Sequence, residues 1–215
     1  IKKCLEKDGI ILSRRRIRRI MKRLNLVSVY QKAAFKPHSR GKNESPIPNR
    51  LDRQFDQERP LEALVTDLTY VRVDRRWAYV CLIIDLFNRE IIGLSVGWHN
   101  TAELVKQAIQ SIPYALTKAK LFHSDRGKEF DNQLIDEMLE AFGITRSLSQ
   151  AGCPYDNAVA ESTYRSLKLE FINQETFQSL KELALKTKDY VHWWNYHRIH
   201  GSLNYQTPMT KRIIA

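Results

Sequence analysis

The sequence predicts an α/β fold in which a mixed five-stranded β-sheet is covered on both faces by helices. Three successive runs rich in Val, Ile, Leu and Tyr, separated by short polar breaks, are typical of antiparallel strands. Strand-like and helical patterns alternate after them, which is typical of parallel strands joined by helices. The predicted elements, in order, are strands over 64–73, 77–87 and 89–98, a helix over 101–117, a strand over 120–123, a helix over 131–142, a strand over 144–148, and helices over 157–172 and 180–197.

A short basic helix is predicted near the start of the chain. Ser13 is a suitable N-cap for it, because a serine side chain accepts a hydrogen bond from the first helical turn. Apolar residues follow at the spacing of one buried stripe: Ile17, Ile20, Met21 and Leu24. Gly9 separates this helix from a helical piece over residues 1–7. Residues 1–35 are therefore predicted to form a small helical segment of the helix-turn-helix type.

The positive charge of the protein is concentrated in the same region. Residues 1–60 contain 17 Lys and Arg against 6 Asp and Glu, a net charge of +11, whereas residues 61–215 contain 18 of each sign. Nucleic acid is the first candidate partner, because neutralised phosphates release counterions. An anionic membrane surface would require a wider apolar face, and a helix that is only solvated would be destabilised by its like charges. The residues of the helix expected to contact DNA are Arg14, Arg15, Arg18, Arg19 and Lys22.

Residues 36–60 are predicted to be a linker that does not pack, because they contain four of the seven prolines and show little periodicity. The domain boundary is expected near Pro60, with the core domain over residues 61–215. No apolar run approaches the roughly 20 residues of a membrane-spanning helix. The first residues contain neither a start methionine nor the apolar stretch of a secretion signal, so the chain is expected to be a soluble fragment or a renumbered piece of a protein.

The three cysteines argue against a zinc site or a disulfide framework. Cys4, Cys81 and Cys153 are far apart in sequence and form no Cys-x-x-Cys motif. A location in a reducing cytoplasm is therefore expected.

Three acidic residues occupy unusual positions in this predicted layout. Asp67 lies inside the first strand, Asp125 directly follows the fourth strand, and Glu161 is near the start of a helix. Carboxylates are rare inside strands unless they are paired or bind a metal. If the first and fourth strands are neighbours, the two aspartates converge and the helix can add the glutamate. Three such carboxylates form an oxygen-only site suited to Mg²⁺ or Mn²⁺.

The blocks of sequence around these acids resemble those of a known family. The blocks are Val65-Thr66-Asp67-Leu68-Thr69-Tyr70, His123-Ser124-Asp125-Arg126-Gly127 and Gly152-Cys153-Pro154-Tyr155-Asp156-Asn157-Ala158-Val159-Ala160-Glu161-Ser162. They resemble the three signature blocks of bacterial insertion-sequence transposases in the retroviral integrase superfamily. The 35 residues between Asp125 and Glu161 match the interval expected between the second acid and the glutamate of that superfamily.

Two further stretches narrow the resemblance to the group whose transposase is made from two overlapping reading frames. Residues 194–203, followed by Pro208, are similar to the closing motif of that group, and residues 49–55 resemble its linker before the core. The sequence departs from the family at Leu64, where many relatives have tryptophan, and at Trp194, where tyrosine is usual. Neither departure falls on one of the three acids.

The resemblance implies a ribonuclease-H-like fold and metal-dependent DNA cleavage and strand transfer. Asp67, Asp125 and Glu161 are implied to be both the catalytic residues and the ligands of two Mg²⁺ or Mn²⁺ ions, one activating the attacking oxygen and the other stabilising the leaving oxygen. The implied partners are double-stranded DNA, as element ends and target, and at least one second copy of the chain. Family members place a basic residue seven positions after the glutamate next to the cleaved phosphate, which implies that Lys168 binds DNA. Arg165 lies on the same helix face, and both cations are expected to point outward.

Other polar residues have simpler interpretations. Asp85 also ends an apolar strand, but its surroundings favour a turn in which it binds nearby main-chain groups. The histidines at 123, 192, 197 and 200 lack cysteine partners for a transition metal. Asn195, Arg198 and His200 are expected to close the last helix onto the core, and the neighbouring aromatic cluster is expected to pack there. A nuclease of the same fold without strand transfer, and a DNA-binding repressor that does not use its carboxylates, remain alternative functions.

Overall fold

The structure is a computed structural model that describes residues 1–28, 30 and 45–214. The chain divides into two compact units, Ile1–His38 and Ser39–Ala215. Parts of the sequence-based assignments, residues 29 and 31–35 of the helical segment and residues 36–44 of the linker, lie outside the described residues.

The first unit contains two helices, α1 over Lys2–Lys7 and α2 over Arg14–Arg23. The Ser13 hydroxyl accepts a hydrogen bond from the Arg16 main-chain N–H at 3.2 Å, as expected for the N-cap. The predicted buried stripe of α2 is only partly correct. Ile17 is buried, but Leu24 is 57% exposed, because the helix ends before it and a unit this small covers little apolar surface.

The second unit is built on a mixed five-stranded sheet with the order β3-β2-β1-β4-β5, which confirms the predicted fold class. Its first three strands are antiparallel, whereas β4 is parallel to β1 and β5 is parallel to β4. The strands are β1 over Ala63–Val73, β2 over Arg76–Asp85, β3 over Ile91–Gly97, β4 over Leu121–Ser124 and β5 over Thr145–Leu148.

Helices cover both faces of this sheet. The helices of the second unit are α3 over Ala102–Gln110, α4 over Gln133–Ala141, α5 over Ala158–Glu170, α6 over Leu180–Tyr196 and α7 over Pro208–Ile214. One apolar core joins β1 and β2 to α5 and α6, and contains Val65, Leu82 and Leu167. The other joins the opposite face to α3 and α4, and contains Leu64 and Ile83. No helix in the described part of the chain is long and apolar enough to cross a membrane.

The structure differs from the sequence-based elements in two helices. Helix α3 ends at Gln110 and does not reach residue 117. Pro113 explains the early end, because proline has no main-chain N–H and disfavours helical geometry in the residue before it. Helix α7 was not predicted as an element.

The expectation that residues 36–60 do not pack is wrong for the described residues 45–60. Leu51 is only 2% exposed and belongs to the core beside α5 and α6. The main-chain N–H groups of Arg50 and Leu51 both donate to the Ser147 hydroxyl, at 2.9 and 3.1 Å, and Leu148 N donates to the Pro48 carbonyl at 3.3 Å. The reason is that β5 lies at the edge of the sheet and offers polar groups that this segment can pair.

Candidate active site

Asp67 lies inside β1 and Asp125 directly follows β4, both just beyond the end of the pairing between these two strands. The parallel pairing of β1 with β4 ends at the pair Val65 and His123, and each aspartate is two residues further along its chain. Paired strands lie about 4.8 Å apart, so this register brings the main chains that lead to the two aspartates together at one end of the pairing. Side chains alternate between faces along a strand, which puts Asp67 on the same face as Val65, towards α5.

Both aspartates are half-buried and bind main-chain N–H groups next to them. One Asp67 carboxylate oxygen accepts from Leu68 N at 2.7 Å, and one Asp125 oxygen accepts from Gly127 N at 3.0 Å. The guanidinium of Arg126 donates to the carbonyls of Ser149 and Ser45, each at 2.7 Å. These bonds tie the loop that carries Asp125 to the end of β5 and to the segment before the core.

Glu161 lies in the first turn of α5 and is exposed. Two side chains attach this helix to β1: Asn157, which precedes Glu161, and Tyr164, which follows it. The Asn157 amide donates to the Thr66 carbonyl at 2.9 Å, and the Tyr164 hydroxyl donates to the Asp67 carbonyl. Asn157, Glu161 and Tyr164 follow the i, i+4, i+7 spacing, so Glu161 lies beside the edge of α5 that these two residues attach to β1.

The Tyr164 hydroxyl also accepts a hydrogen bond from Leu82 N at 2.6 Å. Leu82 is the residue of β2 that faces Asp67, so the phenol bridges two paired strands at the position of the aspartate. Burial, followed by the charges of Cys81 and Asp67, raises the pKa of Tyr164 well above its ordinary value. The phenol therefore keeps its proton and remains a donor to the Asp67 carbonyl.

The three carboxylates are an oxygen-only donor set, which is the chemistry that Mg²⁺ and Mn²⁺ favour. Asp67 and Asp125 each lie two residues beyond the last β1–β4 pair, and Glu161 lies on the helix attached to β1. Within residues 1–28, 30 and 45–214, no three acidic, histidine or cysteine side chains are grouped closely enough to hold a metal ion. Like charges in a shared site repel each other unless a cation neutralises them.

The two cations of α5 are placed differently. Arg165 is exposed, as expected. Lys168 is half-buried, and its amine lies over the Tyr70 ring at 4.7 Å from the centroid, so the expectation that it points outward is wrong. Burial lowers the pKa of the Lys168 amine, and the charge of Asp67 acts against this effect. Its amine is therefore within electrostatic reach of the first carboxylate.

The loop before α5 is held by a buried aspartate. The Asp156 carboxylate accepts from Arg53 Nε at 2.7 Å and from Gln150 N at 2.9 Å. Burial by itself would raise the pKa of Asp156, but the bonds from Gln150 and Arg53 lower it below its ordinary value. The ion pair fixes the start of α5, and with it Glu161, to the segment before the core.

Asp85 has the structural role expected from its sequence context. Its carboxylate is fully buried and accepts from Leu61 N at 2.9 Å, from Phe87 N at 3.0 Å and from the Arg212 guanidinium at 2.6 Å. It faces Leu64 in the β1–β2 pairing, three residues before Asp67. That separation is about 10 Å along the strand, which excludes Asp85 from a shared site with Asp125.

His123 is buried between two hydroxyls. Its Nδ1 lies 2.8 Å from the Ser147 hydroxyl and its Nε2 lies 3.1 Å from the Ser149 hydroxyl. Burial lowers its pKa to about 4, and the charge of Asp156 acts against this effect. The two hydroxyls engage both ring nitrogens, which satisfies the polar atoms of this buried side chain.

The closing motif attaches α6 to the sheet. The Asn195 amide accepts from Ile91 N and donates to the Ile91 carbonyl, both at 2.9 Å, in the manner of an additional strand residue. The Arg198 guanidinium binds the Glu170 carboxylate at 2.7 Å and lies over the Trp194 ring at 4.4 Å. The predicted structural role of this motif is confirmed.

The aromatic cluster of α6 is divided between core and surface. Tyr190 and Trp194 are buried, as expected, but Trp193 is 41% exposed and Tyr196 is 50% exposed. A single helix face can contact the core, and these two residues lie outside it.

Sequence reasoning missed the positioning roles of Asn157 and Tyr164. Asn157 is part of the third signature block, and Tyr164 follows the apolar spacing of α5. Nothing in a helical pattern shows that a phenol contacts a strand about a hundred residues earlier in sequence, and that contact depends on the fold.

The fold and the site agree with comparisons to known proteins. One family model, described as Integrase core domain, matches residues 57–154, and a second with the same description matches residues 142–208. The chain is 28% identical over 211 residues to the "Transposase for insertion sequence element IS904" of Lactococcus lactis, over 97% of this chain and 83% of that protein. It is 30% identical over 210 residues to the "Putative transposase InsK for insertion sequence element IS150" of Escherichia coli, over 97% of this chain and 74% of that protein.

A solved structure supports the fold. The HTLV-2 integrase catalytic core domain, in complex with magnesium and in a dimeric form, matches with a TM-score of 0.54 and 16% identity, over 71% of this chain and 97% of that chain. The second unit therefore has the ribonuclease-H-like fold. Together, the matched family models and the transposase relatives show that this chain belongs to the bacterial insertion-sequence transposases of the integrase/DDE superfamily of polynucleotidyl transferases.

Proposed function

We propose that this transposase cleaves DNA at the ends of an insertion sequence and joins the freed ends to target DNA, with Asp67, Asp125 and Glu161 as its catalytic carboxylates. The observation that carries the proposal is the parallel register of β1 and β4, because Asp67 and Asp125 each lie two residues beyond its last pair, Val65 and His123. The attachment of α5 to the Thr66 and Asp67 carbonyls supports the inclusion of Glu161.

The same three residues would hold two Mg²⁺ or Mn²⁺ ions. Their oxygen-only donor set fits these hard cations, and an integrase core of the same fold has been solved in complex with magnesium. Bound divalent ions supply Lewis-acid activation of the attacking oxygen and stabilisation of the leaving oxygen in phosphoryl transfer.

The residues of the chain itself position the reactants. Asn157 and Tyr164 hold the helix of Glu161 against β1, and this supplies the fixed geometry on which phosphoryl transfer depends. The Lys168 amine lies over the ring of Tyr70, three residues after Asp67 on β1, and would bind a DNA phosphate beside the carboxylates. Arg165, exposed one turn before Lys168, would contact the same DNA further out. The nucleophile is a water or a DNA 3′-hydroxyl, so no covalent bond forms between protein and DNA.

Helix α2 would supply much of the affinity for double-stranded DNA. The side chains proposed for these phosphate contacts are exposed: Arg14, Arg15, Arg18, Arg19 and Lys22. We propose that residues 1–35 act as the DNA-binding segment and that residues 61–215 form the catalytic core. Two ends of one element must meet during transposition, so a dimer or larger assembly on the bacterial nucleoid is proposed.

Incubation with labelled DNA tests the function. The substrate is the DNA that flanks the reading frame, with Mg²⁺ or Mn²⁺ and an unlabelled target, and strand-joined products are the expected result. Cleavage without joined products would instead identify a nuclease of this fold. Binding without any metal-dependent product, unaffected by neutralising the three acids, would identify a repressor.

A further inference from the structure

The hairpin between β1 and β2 carries two exposed aromatic rings. Tyr70 is 53% exposed and Trp77 is 50% exposed. Their ring centroids lie 5.1 Å apart with an interplanar angle of 89°, so the edge of one ring meets the face of the other. We call Tyr70, Arg72, Arg75 and Trp77 the hairpin surface. These two half-exposed rings touch each other and so form one aromatic patch on the surface of the protein.

Cations lie beside these rings. The Arg72 guanidinium lies over the Trp77 ring at 5.3 Å and donates to the Asp74 carbonyl at 2.9 Å, and the Lys168 amine lies over the Tyr70 ring. Arg75 is exposed in the two-residue turn between the strands. In the part of the chain that the structure describes, neither Arg72 nor Arg75 forms an ion pair with a carboxylate. Their positive charge can therefore attract an anionic partner.

The hairpin surface is close to the carboxylates. Tyr70 is three residues beyond Asp67 on the same strand, and Trp77 faces Arg72, five residues beyond it. At 3.3 Å per residue these separations are about 10 and 17 Å. Because side chains alternate along a strand, Tyr70 and Asp67 lie on opposite faces of β1. The pairing of β1 with β4 ends at Val65, so the edge of β1 beyond Val65 is not covered by β4. A ligand can pass from one face of β1 to the other around this uncovered edge.

Lys168 connects the two regions across this edge. Its amine lies 4.7 Å from the centre of the Tyr70 ring, and Tyr70 is three residues beyond Asp67 on β1. A DNA strand whose phosphate lies at the carboxylates can therefore reach the hairpin surface by passing Lys168.

We propose that the hairpin surface stacks on unpaired bases of the DNA strand next to the phosphate that is cleaved. This inference rests on the proposed function. Aromatic rings stack on any base, and arginines beside them bind the backbone and stack in turn. The alternating rings and guanidinium groups match this ligand better than an apolar protein surface, because each ring borders a cation. With 3.4 Å per nucleotide of one strand, the contacted bases lie roughly three to five nucleotides from the cleaved phosphate.

The test uses the full chain, without metal, and a DNA duplex with mismatched pairs at one end. A fluorescent 2-aminopurine is placed in turn at positions roughly two to seven nucleotides from the intended cleavage site. We expect quenching at the positions roughly three to five nucleotides away, and tighter binding than to the same duplex fully paired. Trp77→Ala should abolish the quenching and reduce the preference for the mismatched duplex about tenfold.

Two further variants make the outcome specific. Trp193→Ala removes another exposed tryptophan, 41% exposed on α6, and should change neither measurement. Trp77→Phe keeps a ring and should retain the preference. If Trp77→Ala fails to fold, Arg75→Glu replaces it, because this side chain lies in an exposed turn; the preference should then weaken severalfold.

Failure of this inference is distinguishable from failure of the proposed function. A wild-type preference that survives both Trp77→Ala and Arg75→Glu, in a protein that performs strand transfer, would overturn the inference alone. Loss of the preference in these variants, in a protein without metal-dependent products, would support the stacking surface and overturn the proposed function.

Discussion

The phenol of Tyr164 donates a hydrogen bond to the main-chain carbonyl of Asp67, and thereby joins the helix of the proposed catalytic glutamate to the strand of the first aspartate. The same hydroxyl accepts from Leu82 N at 2.6 Å, so three elements meet at one atom. Ala160 and Leu167, on the same side of α5, are fully buried and add apolar packing to this attachment. The position of Glu161 relative to Asp67 therefore depends on a residue that takes no part in the chemistry.

Tyr164→Phe should lower strand transfer more than its effect on stability explains. Loss of the hydroxyl leaves Leu82 N without its partner and costs about 1–3 kcal/mol of unfolding free energy. The rate should fall further, because α5 loses its bond to the Asp67 carbonyl and Glu161 is held less firmly. Denaturant unfolding and strand-transfer rates measured on the same preparation check this. Thr187→Val, which removes a buried hydroxyl on α6 that donates to the Leu183 carbonyl at 2.7 Å, is the matched control and should affect stability only.

Asp67→Asn, Asp125→Asn and Glu161→Gln should each abolish cleavage and strand transfer while DNA binding stays near normal. Each variant removes one negative charge from the proposed metal ligands but leaves the basic surface intact. Their effects should not add, because residues that act as one unit fail together. Glu140→Gln, which neutralises an exposed acid on α4, is the control and should retain activity. A triad variant that kept much of the wild-type rate would remove that residue from the site.

Lys168→Ala should lower strand transfer more than it lowers thermal stability. Its contact with the Tyr70 ring contributes about 0.5–1 kcal/mol, whereas the proposed phosphate contact positions DNA beside the carboxylates. Crosslinking from position 168 should reach nucleotides near the 3′ end of the element. Lys188→Ala, an exposed lysine on α6, serves for comparison. Wild-type turnover by Lys168→Ala at every DNA and salt concentration would show that α5 is not the DNA-facing wall of the site.

Truncation should separate DNA binding from folding, provided that the cut is made before residue 45. Residues 45–215 should fold and should show a flatter dependence of log affinity on log salt, because the basic helix is gone. Residues 61–215 should be less stable by several kcal/mol, since they lack the buried Leu51 side chain and the ion pair between Arg53 and Asp156. Denaturant midpoints and salt titrations check both points. An unchanged salt slope in the longer fragment would show that α2 is not a DNA contact.

Stability should fall in mild acid because of two buried histidines, His123 and His200, and His200 can be tested without changing the loop of Asp125. Burial, followed by the charge of Arg198, lowers the pKa of His200 to about 4, whereas a histidine in an unfolded chain has a pKa of about 6.5. Between these values the unfolded chain binds a proton that the folded chain does not, so the contribution is lost as the pH falls from about 6.5 to about 4.

Between about pH 4 and pH 6.5, His200→Asn should reduce the slope of unfolding free energy against pH by about 1.4 kcal/mol per pH unit. Asparagine keeps an acceptor near Arg198, whose guanidinium lies 3.3 Å from His200 Nδ1. His99→Asn changes an exposed histidine and should leave the slope unaltered. Equal slopes for wild type and His200→Asn would mean that this imidazole titrates normally in the folded protein.

Much of the fold could be predicted from the sequence, because the signals for helices and strands are local. The β-branched runs of β1 to β3, the Ser13 cap of α2 and the spacing of Ala160, Tyr164 and Leu167 each depend on residues close together in the chain. The candidate acids were also visible, since a carboxylate inside an apolar strand is unusual wherever it occurs. The alternation of strands and helices after residue 100 indicated the mixed sheet.

Only the tertiary structure decided which residues meet. Asp67 and Asp85 look alike in sequence, as acids in apolar strands, and what separates them is the β1–β4 register for one and Arg212, 127 residues away, for the other. The packing of residues 45–60 and the phenol of Tyr164 at Asp67 likewise join segments far apart in the chain. The physical reason is that a residue pattern specifies which face of an element is buried, whereas strand pairing and helix docking determine which distant polar groups that face contacts.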